Sequence, residues 1–486
     1  TVTDSWTEFV TFGDTRVEIN EKGKFTVYDH NPDAAAKTKA TAFKEAIWVD
    51  TQADEITDDT DVTALVKFYE RETGVYRLYL PSGVDGAVPV YHSYDNLAIN
   101  GTAITPGDTF TFADGTEYAI TGDVTGTLKV YQSANVYTMY MTGNSSLPIE
   151  TSTAIVHKDQ VERKGGNVYT ADSTGAIDLQ DTVSKIKGRG NSSWEASQRL
   201  YGKYAYNLTL NNKTTELVDG DVKTKKYSML ANNADEAMMR NLLIYNLADA
   251  IGLDYTPTIR VFDFYDNGNY HGTYTVCEKV EVGKSGLLSG VASLDDANEE
   301  VNPEWEDAPQ KTNGKSSTSK GFYKYVDTPD PEDITGGYLL EFELSERFDN
   351  EVSGFVSSKG QPVVVKYPEF ATQEEMIWII NEYAAMEQAV YADNYNDDEN
   401  GYANLIDVES FAKMYLIQEL TINLDSCATS YYIHNEFRDG KSVLVAGPVW
   451  DYDWSMGAYA NEKLDLIYEA KSSGMYYLYT DNATVS

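Results

Sequence analysis

Through its first 143 residues the chain alternates apolar and polar side chains and interrupts the alternation at turn dipeptides. "RVEINEKGKFTVYD", "ALVKFYERETGVYRLYLP" and "TFTFADGTEYAITG" break at Lys-Gly, Thr-Gly and Asp-Gly. Successive strand side chains point to opposite faces, so the pattern describes half-buried strands joined by tight turns. The expectation is an all-β, sandwich-like region or a small barrel over residues 1–143. No catalytic cluster is visible in it, so it reads as a binding or spacer module.

From Asn144 to Pro148 the texture changes, and residues 144–486 mix helical periodicity with strands, an α+β composition. "NADEAMMRNLLIYNLADAIG" predicts a helix over 234–250, with Asn233 and Glu236 as a capping box and Gly252 as its end. "TQEEMIWIINEYAAMEQAVYA" opens with a second box, Thr372 to Glu375, and "DVESFAKMYLIQELTIN" is capped by Asp407. "TIRVFDFYDNGNYHGTYTVCEKV" is a hairpin turning at Asp266–Asn267–Gly268. Residues 283–335 are polar, acidic and short of periodicity, and are expected to be a long, partly mobile insertion.

At 486 residues the chain exceeds one typical domain, and 42% hydrophobic residues suffice for real cores. The net charge of −39 repels nucleic acid and anionic membranes, so neither is expected as a partner. It repels ATP at long range too, so a nucleotide site here must carry its own positive charge or a metal. No apolar run approaches the ~20 residues of a membrane span. The chain starts at Thr1 with no visible signal peptide, which reads as a mature or trimmed fragment. Cys277 and Cys427 fit no C-x-x-C pattern and are expected as buried thiols rather than a disulfide. Abundant Tyr, Thr, Asp and Asn with little Cys suits a secreted or cell-surface bacterial protein. No Cys/His cluster suggests zinc, and no G-x-S-x-G elbow suggests an α/β-hydrolase.

Read in chain order, the second region assembles a constellation. "SKIKGRGNSSW" runs a basic strand into Gly188–Arg189–Gly190, whose backbone can approach a ligand closely. "GKYAYNLTL" follows, with Tyr204, Tyr206 and Leu208 on one face and Lys203 on the other. Then come the 234–250 helix, the hairpin and "CEKV", where an apolar strand meets charge. Asp425 follows a helix end in "NLDS", and a later hairpin delivers Asp451 in "VAGPVWDYDWSMG". A protein kinase needs these parts in much this order. A glycine-rich loop covers phosphates, a strand lysine holds them, a helix orients that lysine and a strand edge receives adenine. One aspartate meets the acceptor hydroxyl and a later one holds Mg²⁺.

Together "KIKGRGNSSW", "KYAYNLTL", "MMRNLLIYNLA", "NYHGTYTVCEKV", "GGYLLEFE", "NLDSCATSYYIH" and "VWDYDWSMG" resemble the CotH (spore coat protein H) family of atypical secreted protein kinases, over about residues 145–460. The resemblance implies an atypical bilobal protein-kinase-like domain behind the all-β N-terminal region. It implies ATP with Mg²⁺ or Mn²⁺ as cofactors and phosphorylation of Ser/Thr in extracellular or surface proteins. Family members occur in spore coats and beside carbohydrate-degrading assemblies such as the cellulosome.

Carried over position by position, the resemblance implies that Asp451 holds the metal, with Asp453 as a second ligand or as a group orienting the first. Asp425 becomes the residue that accepts or orients the substrate hydroxyl proton. Five residues on, where protein kinases and many CotH relatives carry a second-metal asparagine, this chain has Ser430. Lys203 is the candidate for the α/β-phosphates, with Lys225 and Lys226 as rivals. Arg189 binds phosphate or fixes its loop, alongside Gly188 and Gly190, and Asn191 and Ser192 can cap that loop. Glu236 pairs with Lys203 or serves only as a cap. Arg240–Asn241 match a family pair, with Arg240 able to salt-bridge the loop acids. Cys277, Glu278 and Val280 fall where adenine meets backbone groups, and Glu341 matches a family position. The tryptophans beside the acids are expected to pack. Two alternatives stand beside the kinase. One is a pseudokinase serving as an adhesion or scaffold module, which Ser430 and the acidity favour. The other is a glycan-binding protein, suggested by 37 tyrosines and seven tryptophans.

Overall fold

The computed structural model describes residues 46–51, 65–148, 157–191, 193–194, 203–233, 235, 237–423, 425, 429–438 and 440–456. Before these it describes the strands Glu8–Phe12, Thr15–Ile19 and Phe25–Tyr28, which form a three-stranded antiparallel sheet. The described chain is mostly strand with few helices and divides into two compact units. One comprises Thr1–Gly190, Ser197–Asn211 and Val261–Tyr274, and the other Asn191–Ala196, Asn212–Arg260 and Thr275–Ser486.

In the first unit the alternating segments become strands as their period requires. "ALVKFYERETGVYRLYLP" yields Leu65–Lys67, Tyr69–Glu72 and Val75–Leu80, turning at Gly74 with φ +75°. A six-stranded and a four-stranded sheet share one apolar core that includes Val49, Val66, Leu78, Val90, Leu128 and Val130. Tyr140, Ala171 and Tyr265 of a further sheet belong to the same core. Five of that sheet's eight strands run Glu162–Lys164, Ile177–Gly188, Asn167–Ala171, Tyr137–Thr142 and Ile259–Asp266 in spatial order, and Tyr206–Thr214 also pairs with Ile177–Gly188. The Asp266–Asn267–Gly268 turn lies where the sequence placed it, with φ +47° and +76° at its last two residues. A Cβ on Gly268 would come within 2.1 Å of the Trp48 ring, so both conformation and space demand glycine. The buried Arg163 guanidinium meets buried Asp266 at 2.7 Å, and Asp266 also accepts from Leu147 N, tying residues 145–148 to the sheet.

The second unit holds the main helices and a seven-stranded sheet. Its order is Gln310–Thr312, Tyr323–Val326, Gly354–Val356, Pro362–Tyr367, Leu339–Phe342, Tyr432–Arg438 and Lys441–Ala446. The predicted Thr372–Glu375 box caps the Gln373–Val390 helix, and Asp407 caps Val408–Thr421 through Ser410 N. The first helix differs from expectation: it spans Arg240–Ala250. Asp235 takes the Ala237 and Arg240 amides and the Arg240 guanidinium, and Met238 sits at φ +52°, which halts helical geometry until after it. Glu236 lies outside the described residues. Residues 283–335 carry regular structure: a Leu294–Val301 helix capped by Ser293, and two strands of the large sheet. Asn298 donates to both Glu375 oxygens at 3.1 and 3.2 Å, and Trp305 packs on Phe370. Cys277 is a buried thiol that donates to Ser228 O at 3.9 Å, and Cys427 is outside the described residues. Among the described residues no helix is long and apolar enough to cross a membrane.

Candidate active site

In the second unit the three aspartates of the sequence reading come together. Tyr452 is fully buried between Asp451 and Asp453, and the chain is gripped there by its hydrogen bonds. The Tyr452 amide donates to Asn241 Oδ1 at 2.8 Å, its hydroxyl accepts from Gln418 Nε2 at 2.8 Å, and its carbonyl accepts from Ser455 Oγ at 2.7 Å. Asn241 lies on the Arg240–Ala250 helix and Gln418 on Val408–Thr421, so two helices fix the segment. Met456 N closes it onto Thr421 O. Trp450 is buried with its ring 6.3 Å from that of Tyr245, the packing role expected of it. Gly457 lies outside the described residues.

The Val408–Thr421 helix ends at Ile422 with φ +49°, and Asp425 follows with its amide on Asn423 Oδ1 at 3.2 Å. Asp451 has φ +66° and Ser430 φ +56°. Left-handed backbone at non-glycine residues costs roughly 1–2 kcal/mol each, and it gathers where function holds it in place. Ser430 Oγ donates to Asp451 Oδ2 at 3.1 Å, and the Asp453 and Asp451 side chains hydrogen-bond to each other. Burial, followed by the charges of Asp451 and Asp425, pushes the Asp453 carboxyl well above the usual carboxylate range. Like charges held this close can be relieved by a shared proton or by a cation.

Around them lies a second ring of acids. Burial lifts Glu341 to about 7, with Lys366 opposing and Glu343, Glu351 and Asp451 adding to the rise. Lys366 Nζ is 3.6 Å from Glu341 and 3.3 Å from Glu351. Burial acts to lower Lys366, but those two carboxylates outweigh it and hold the ammonium above its ordinary value. Glu343, two residues beyond Glu341, accepts from Thr429 Oγ1 at 2.9 Å. Glu343, Lys366 and Thr429 were not singled out from sequence. The Glu-x-Glu spacing in "LLEFE" was the available signal, since it places both acids on one strand face.

The metal can be tested against this donor set. Among the described residues no three Asp, Glu, His or Cys side chains are grouped so as to hold an ion alone. Mg²⁺ needs less, because it keeps waters and takes one or two carboxylates plus phosphate oxygens. Asp451 and Asp453 fit that requirement.

The first unit brings together a separate set. Gly188 ends its strand opposite Tyr206, Arg189 N donates to Ala205 O at 3.0 Å, and Gly190 has φ +97°. The Gly-Arg-Gly segment therefore runs beside the residues that follow Lys203. Lys203 Nζ donates to Thr273 O and lies 4.8 Å over the Tyr274 ring. Burial lowers this lysine to about 8, against the opposing pull of Asp263. Such a lysine holds its charge weakly and gains from an anion.

The remaining candidates have other occupations. Glu278 is buried, accepts from Thr258 N at 2.6 Å and is pushed by burial up to about 7. Val280 packs in the apolar core. Lys226 and Lys279 both pair with Glu281. Arg240 pairs with Asp235 rather than reaching the loop acids. Asn191 is exposed at a bend, and Ser192 is outside the described residues.

No curated protein matches the chain. The family model described as CotH kinase protein matches residues 186–482, more than half of the sequence. With the Trp-Asp-Tyr-Asp segment, the helix-end aspartate and the glycine-flanked arginine all falling inside that match, the chain belongs to the CotH kinase family.

Proposed function

We propose that this protein is an ATP- and divalent-metal-dependent kinase that phosphorylates Ser/Thr of extracellular or surface proteins. Residues 144–486 would act as an atypical kinase domain. The observation that carries the reading is the meeting of Asp425, Asp451 and Asp453, with Asp453 raised by burial and then by its two neighbours, and Asp451, in left-handed backbone, bonded through its carboxylate to Ser430. Mg²⁺ or Mn²⁺ supplies charge neutralisation for a triphosphate in such chemistry. Asp451 and Asp453 are assigned to hold it. Asp425 is assigned to orient the acceptor hydroxyl and receive its proton. Lys203 and the Gly188–Gly190 backbone are assigned to the nucleotide phosphates, which answers the repulsion of the −39 surface.

The test uses γ-labelled ATP. Wild type transfers label to a protein acceptor or to itself, and Asp425→Ala loses the transfer but still binds nucleotide. Label transfer unchanged in Asp425→Ala would remove the assigned base. The second reading, a pseudokinase, is favoured by Ser430 spending its hydroxyl on Asp451 where an asparagine would serve a second metal. Nucleotide binding without transfer in wild type selects that reading.

A further inference from the structure

Two adjacent residues reach in opposite directions between the acids. Thr429 N donates to Asp425 O at 3.0 Å, and Thr429 Oγ1 donates to Glu343 Oε1 at 2.9 Å. Both Thr429 and Glu343 are buried. A buried hydroxyl demands an acceptor, and a carboxylate acceptor makes the stronger bond. The same Glu343 oxygen takes Leu344 N at 2.8 Å and lies 3.9 Å from Arg347 Nη1, so the anchor is itself held from two sides. The next residue, Ser430, has φ +56°, a conformation L-residues rarely adopt. That turn aims Ser430 away from its neighbour, and its hydroxyl meets Asp451 Oδ2 at 3.1 Å. One dipeptide thus grips the backbone of the first aspartate and the carboxylate of the second.

We propose that Thr429 and Ser430, anchored by Glu343, are positioning residues that fix Asp425 relative to Asp451. Thr429 acts on the proton-accepting side and Ser430 on the metal-holding side. The proposal rests on the kinase reading. It gives Ser430 a role that needs no second metal: the hydroxyl meets Oδ2 of Asp451 and orients the carboxylate assigned to the cation.

The experiment measures label transfer from γ-labelled ATP to dephosphorylated casein, varying ATP and Mg²⁺ separately. T429V, near-isosteric but without the hydroxyl, should lower kcat roughly 10- to 100-fold with KM for ATP within about threefold. T429S, which restores the donor, should recover most of that loss. S430A should raise the Mg²⁺ concentration for half-maximal activity by about tenfold with kcat little changed. Should T429V fail to fold, E343Q keeps the acceptor's shape while weakening the bond and is read the same way. A T429V that matches wild type in kcat, a T429S as slow as T429V, or an S430A with unaltered Mg²⁺ requirement each overturns the positioning role. A wild type that transfers no label takes down this proposal and the kinase reading together, whereas an active wild type with an unaffected T429V defeats the positioning alone.

Discussion

Asn241 offers the sharpest test of how the acid-bearing segment is held. Its side chain is buried on the Arg240–Ala250 helix, and its Oδ1 accepts the Tyr452 amide at 2.8 Å across 211 positions of sequence. Asn241→Leu keeps the volume and removes the acceptor. The Tyr452 N–H is then buried between two helices without a partner, a loss of roughly 1–3 kcal/mol. With a urea m-value of about 2 kcal/mol per M, the midpoint for the unit containing Trp450 should fall by ~0.5–1.5 M. The assay is tryptophan fluorescence in urea. The same loosening frees the two acids flanking Tyr452, so Mg²⁺-ATP affinity should drop about tenfold, the usual effect of losing a support behind a ligand. An unchanged midpoint together with unchanged affinity would show that this bond does not hold the segment.

Two further predictions follow from burial of titratable groups. Glu278 is raised from 4.5 to about 7, so its favourable contribution is complete below pH 4.5 and is lost as pH rises through 7. Glu278→Gln should gain on wild type by up to ~3 kcal/mol between pH 5 and 8 in urea denaturation. It should bind ATP as wild type does, because Thr258 occupies the carboxylate; a constant stability difference across that range refutes the assignment. His271 is half-buried with its ring Nε2 in the interior, and desolvation lowers it from 6.5 to about 4. Its neutral form is favoured in the fold, so its contribution is complete above pH 6.5 and is lost as pH falls toward 4. Wild type should therefore lose up to ~3 kcal/mol more than His271→Gln over that interval. Parallel stability curves would contradict it.

How much of this could be read beforehand depends on the range of the interaction. The Thr372–Glu375 box, the Asp407 cap and the Asn267–Gly268 turn are local chemistry, and the structure contains all three. The start of the first long helix was misplaced because Asp235 competes for the amides that the Asn233 box was expected to fill, and nothing in periodicity announces a left-handed Met238. Glu278 looked like a charge at a strand end; only the fold reveals that Thr258 N meets it inside. The aspartates themselves were legible through their motifs. Their supports were not, since Asn241–Tyr452 and Glu343–Thr429 are 211 and 86 residues apart and depend on which strands and helices become neighbours.

The central claim is that Asp451, with Asp453 beside it, holds the cation through which a nucleoside triphosphate binds. Calorimetric titration of ATP into the protein, with Mg²⁺ and with chelator, measures this in wild type and in Asp451→Asn. The account predicts saturable binding by wild type that requires the metal, and at least a tenfold loss in the variant, whose amide keeps the shape but not the charge. Binding that is equally tight without metal, or equally tight in Asp451→Asn, would contradict it.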